Sequence, residues 1–183
     1  MNSDFSIPDD ILEAFSQDMK NKKPLIVLIF GPGSSGGDIY KKREEIRDKI
    51  REFGHNAYFG EEYCTPEKLV ANGLNLEVAE YLLAKKCDYI ICLMASPGSI
   101  GKVHDFAKDP EIATKMMICI DKHHSESYGA LGTLRIFQGY NGKIDWFEYP
   151  KDIIECHLKT RVVYQIESVA QRIQYEIATG RLS

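Results

Sequence analysis

Apolar positions along the chain follow two rhythms. Leu25–Phe30, Tyr89–Met94 and Met116–Ile120 are unbroken apolar runs bounded by turn residues. Such runs predict strands covered on both faces. Ala57–Phe59 and Ile144–Tyr149 read as two further, shorter strands. Between the strands the spacing turns helical. Ile39, Ile46, Ile50 and Phe53 mark a helix from Asp38 to about Phe53, and further helices are predicted over Asn75–Lys86, Lys102–Lys108 and residues 130–138. Leu158, Val162, Ile166, Val169, Ile173 and Ile177 form one stripe in a last helix from Lys151 to Ala178, within a C-terminal segment 151–183. That stripe fits docking either on the sheet or on a second copy of the chain. Ahead of the first strand, Ile11, Phe15 and Met19 predict an amphipathic helix over 8–20, within an N-terminal segment 1–22. Pro8 suits its first turn, where a missing N–H costs nothing.

Strands alternating with helices imply right-handed crossovers and a parallel sheet. The expectation is one α/β domain over residues 1–183, a flavodoxin/Rossmann-like three-layer sandwich. Its five-stranded sheet should run in the order 2-1-3-4-5, which places the turns after strands one and three beside the switch point. A ligand crevice is expected there, at the carboxyl ends of the strands.

Composition narrows the function classes. The 183 residues carry a net charge of −4, which argues against a nucleic-acid footprint. No run reaches the ~20 apolar residues of a membrane span. The opening MNSDFSIPDD lacks the order of a signal peptide, so a cytoplasmic setting is expected. The five cysteines are odd in number and form no C-x-x-C pair, so neither a disulfide framework nor a zinc site is indicated. Cys92 and Cys119 lie in apolar runs as small core residues, and His123-His124 reads as polar loop. No cofactor or metal is expected.

Two turns carry candidate chemistry. Gly31, Gly33 and Gly36 satisfy G-x-G-x-x-G between a strand and a helix, with Ser34 and Ser35 inside the loop. This is the context of a phosphate cradle, in which backbone amides and a helix dipole meet an anion; a tight turn needing glycine for steric reasons is the plainer alternative. Gly36 is followed by Gly37-Asp38, which excludes a Walker A loop, and the acid after strand two would be Glu61 or Glu62. A nicotinamide-dependent oxidoreductase therefore ranks last. Arg43, one turn into the helix, either faces the strand ends as an anion ligand or extends its head to solvent. After strand three, the hydroxyls of Ser96 and Ser99 and the backbone at Gly98 could hold a sugar or phosphate. His104 and Asp105 follow; adjacent helical residues point about 100° apart, so they are no ready acid–base pair. Glu77 and Glu80 share a face of the preceding helix.

Taken in order, these stretches resemble the nucleoside 2-deoxyribosyltransferase-like family, closest to its defence branch with retron-associated effector toxins. The matching residues run from about 26 to 149: Ile26–Gly37, Arg43, Glu61-Glu62, Leu76 through Glu80 to Ile91, Ser96–Ser99, Phe106, Ile118–Ile120, Tyr128-Gly129, Leu134-Arg135 and Phe137. The resemblance implies attack on an N-glycosidic bond of a nucleoside, nucleotide or NAD-like molecule, with a carboxylate nucleophile three residues beyond the S-P-G-S turn. Here that position is Lys102. Either another acid, Glu80 or Asp105, does the work, or the site binds without this chemistry and Lys102 holds a phosphate. A second copy of the chain or a defence-system protein are the macromolecular partners left open.

Overall fold

The computed structural model describes residues 23–127 and 132–181. The helix expected over 8–20 and the Tyr128-Gly129 part of the resemblance lie outside these residues. The strands are β1 (Ile26–Phe30), β2 (Asn56–Phe59), β3 (Tyr89–Leu93), β4 (Met116–Asp121) and β5 (Lys143–Phe147). All neighbours pair in parallel, in the order β2-β1-β3-β4-β5, as the alternation predicts. The helices are α1 (Gly37–Glu52), α2 (Gly60–Tyr63), α3 (Pro66–Asn72), α4 (Leu76–Lys86), α5 (Pro97–Phe106), α6 (Pro110–Ala113), α7 (Thr133–Gly139), α8 (Lys151–Ile154) and α9 (His157–Ala178).

The pleat divides each apolar run between two cores. Val27, Ile29, Ile91, Leu93, Met117 and Cys119 face the layer of α1 and α9, where Ile46, Ile50, Leu158, Val162 and Ile166 cover them. Leu28, Phe30, Ile90, Cys92, Ile118 and Ile120 face the other layer, covered by Ala84, Val103, Phe106, Leu134 and Phe137 of α4, α5 and α7. The α9 stripe thus docks on the sheet, with its last member Ile177 45% exposed. Cys92 and Cys119 are core residues; burial pushes the Cys92 thiol up to about 12 and raises Cys119 well above its ordinary value.

Two expectations are corrected. The helix after β3 starts at Pro97 and not at Lys102, because Ser96 and Ser99 cap it reciprocally and Pro97 occupies its first turn. The final helix is broken between α8 and α9, where Cys156 takes the left-handed conformation at φ 61°. The acid-rich segment after β2 folds into the short helices α2 and α3. At the amino ends of the strands, His55 Nδ1 accepts from Leu25 N at 3.1 Å and its Nε2 meets Glu167 at 2.9 Å, tying β1 and β2 to α9.

Candidate functional site

The turns after β1 and β3 do meet at the switch point. A Cβ placed on Gly31 would lie 3.3 Å from the Leu93 Cβ at the end of β3 and 3.2 Å from the Arg43 Cδ, so any side chain here would press on both and the turns come together closely. Gly33, Ser34 and Ser35 are exposed on the loop, a single 3-10 turn closed by Gly36 N donating to Gly33 O at 2.8 Å.

Arg43 lies beneath this loop, not in the crevice. It is 1% exposed. Its Nη1 donates to Pro32 O at 3.2 Å and Glu61 Oε1 at 2.6 Å, and its Nη2 to Ile29 O at 2.7 Å and Glu61 Oε2 at 2.7 Å. Its guanidinium stacks 3.9 Å from the Phe59 ring centroid. Both terminal nitrogens are engaged, so Arg43 fastens the end of β1 and the loop to α2 and does not reach a ligand in this arrangement. Partial burial pushes the Glu61 carboxyl up, but the Arg43 hydrogen bonds and the Lys102 charge outweigh it and hold it below its ordinary value.

Lys102 and Glu80 come together on the adjoining flank. Lys102 Nζ stands 3.1 Å from Glu80 Oε1 and 5.3 Å from the centre of the Phe30 ring at the end of β1. Glu80 is 8% exposed. Cys64 lies in the same field: burial first, then the Glu80 charge, raise its thiol above its ordinary value, which disfavours a thiolate nucleophile. Asp105 is exposed and shares with Glu80 the wall of a cavity of about 370 Å³ between α4 and α5.

A larger cavity of about 400 Å³ opens over the ends of β3 and β4, between Met94, Pro97, Ile100, His104 and Ile120. The glycine-rich loop lines neither cavity; the space gathers around the β3 turn instead. Ser96 borders the larger one, while Ser99 is buried in the capping box, where its Oγ donates to Ser96 O at 2.9 Å and accepts from Ser96 N at 2.9 Å. Ser99 therefore shapes the turn from within. Lys102 and His104 are two residues apart and so point to opposing sides of α5. Lys102 faces α4, and His104 faces α7, where its Nδ1 meets Thr133 Oγ1 at 2.7 Å. His104 borders both cavities. Residue type did not single out His104 with Thr133, because the pairing depends on α5 and α7 packing side by side. Their common apolar face toward the sheet was the available signal.

Gly98 and Gly101 lie on α5 between these flanks. A Cβ on either would meet nothing within 4 Å. Helical glycine costs about 0.5–1 kcal/mol relative to alanine, so packing does not account for the pair.

The family model of the STM3845 retron effector protein matches residues 41–181. The chain belongs to that family. The match takes in Arg43, Glu61, Glu80, the Ser96–Ser99 turn, Lys102 and His104, and begins after the glycine-rich loop. It bears out the retron-effector side of the resemblance read from the sequence. No curated protein matches the chain. Among solved structures, a CMP N-glycosidase of Clostridium botulinum is similar at 13% identity, over 78% of this chain and 97% of that one, with a TM-score of 0.42.

Proposed function

We propose that this retron effector acts in antiphage defence on the N-glycosidic bond of a nucleoside or nucleotide, with Glu80 as the carboxylate at the anomeric carbon. The observation that supports the reading is the Glu80 carboxylate held 3.1 Å from Lys102 Nζ, beside the end of β1. Position 102 is where the resemblance expects the nucleophile. The lysine there brings a carboxylate from α4 within hydrogen-bond distance, so a nucleophilic oxygen still stands at that flank, its charge balanced by the ammonium. Cleavage passes through an oxocarbenium-like state that an adjacent carboxylate stabilises. Glu80 attacks the anomeric carbon, the bond to the base breaks with its electron pair leaving on the base, and water releases the sugar from the enzyme.

The test is base release from a panel of nucleosides, nucleotides and NAD, followed by chromatography. Release by the native chain that falls at least 100-fold in Glu80→Gln supports the reading; absence of release from every substrate, alone or with a cognate defence partner, overturns it. The same ion pair favours a second reading, a nucleotide-binding sensor in which Lys102 neutralises the acid. Under that reading the native chain is inactive and Lys102→Glu creates activity.

A further inference from the structure

We propose that the cavity over β3 and β4 takes the heteroaromatic ring of the ligand, with His104 reading the ring's edge, an inference that rests on the nucleotide-like ligand of the preceding reading. A base has two apolar faces and a polar rim. The cavity of about 400 Å³ offers the matching pattern, with Met94, Pro97, Ile100 and Ile120 as apolar walls and Ser96, His104, His124 and Ser127 at the border. Thr133 Oγ1 holds His104 Nδ1 at 2.7 Å, which fixes the ring plane. Among the described residues nothing bonds its Nε2. The threonine hydroxyl either donates to Nδ1 or accepts from it, so Nε2 can take the complementary role toward a base edge.

The glycines of α5 connect this cavity with the flank that carries Glu80. Gly98 and Gly101 lack any neighbour that a Cβ would strike, so they form an open shelf on the helix. A sugar lying across that shelf would place its ring-bearing carbon between Glu80 and the cavity. The same shelf would be narrowed by any larger residue.

The test is calorimetric titration of the purified chain with AMP, CMP, GMP and UMP, which reads binding independently of turnover. Expected is binding of at least one nucleotide, weakened tenfold or more in Ile100→Trp, which fills the cavity from a position 40% exposed and tolerant of bulk. His104→Leu is expected to weaken binding by a similar factor and to flatten the preference among the four nucleotides, which a purely structural role would not do. Thermal melts of both variants verify folding. Unchanged affinity in both folded variants, or no binding of any of the four, overturns the proposal. Base release with an unaltered KM in Ile100→Trp would overturn it while leaving the cleavage reading intact. Cavity-dependent binding without release would uphold it and remove the cleavage reading.

Discussion

At the scale of single residues, Arg43 decides how the ligand end of the molecule is built. It heads the fully buried side chains by volume, and its guanidinium joins two backbone carbonyls to one carboxylate. Removing the guanidinium leaves the buried Ile29 and Pro32 carbonyls without their donor, whereas the half-exposed Glu61 carboxylate can turn to water. Arg43→Met is therefore expected to cost about 1–3 kcal/mol in urea denaturation. Arg43→Lys should recover little, since one ammonium cannot reproduce the planar fork. The glycines make a second, opposed pair. Gly101→Ala should raise stability by about 0.5–1 kcal/mol, because helical alanine is favoured and nothing obstructs its methyl. Gly31→Ala should lower it, since the methyl would press on Arg43 at 3.2 Å and Leu93 at 3.3 Å. If Gly101→Ala destabilises in the same melts, the shelf is not open.

At the scale of elements, the cap of α5 sets the shape of the β3 turn. Ser96 Oγ accepts from Ser99 N at 3.2 Å while Ser99 Oγ accepts from Ser96 N, so both turn hydroxyls close the helix start. Ser96→Ala is expected to lose about 1 kcal/mol, measured by thermal or urea unfolding. This cap also explains why the helix begins earlier than its apolar spacing implies: Ser-Pro-Gly signals a turn, yet Pro97 serves equally as a first helical residue. The strands were legible because β1, β3 and β4 are apolar on both faces and bounded by turn residues. Their parallel pairing followed from alternation, and their order is the common one for a doubly wound sheet of five strands. The break at Cys156 was not legible, since the apolar stripe of α9 continues the pattern of α8 without a glycine or proline between them. Glu80 and Arg43 stood out by type and position on their helices, and Lys102 through the family resemblance. Their partners did not, because the Arg43–Glu61 and His104–Thr133 pairs depend on which helix and loop ends adjoin in space.

At the scale of the whole molecule, carboxylates fasten both helical layers, and this makes acid the condition that loosens them together. Asp109 is the clearest case on the α4–α6 side. It pairs with Lys85 Nζ at 2.7 Å, accepts from the Tyr81 hydroxyl and caps α6 by accepting from Glu111 N at 2.9 Å. Partial burial pushes its carboxyl up, but those hydrogen bonds outweigh it and hold it at about 2. On the opposite side, burial likewise opposes ionisation of Asp152, yet its hydrogen bonds with Glu148 N and Arg161 hold its carboxyl below the ordinary value. A carboxyl depressed by folding binds its proton more readily when unfolded, so it stabilises above the unfolded value and ceases to do so as pH falls through the folded one. For Asp109 that window runs from about 4, the unfolded value, down to about 2. Urea midpoints measured across this range should fall with pH. Asp109→Asn keeps an oxygen for the α6 cap but removes the charge. It should be less stable than the native chain at neutral pH and show a shallower decline between pH 4 and 2. Parallel curves for the two proteins would mean that the Lys85 and Tyr81 contacts do not bind the α4 layer to the rest of the fold.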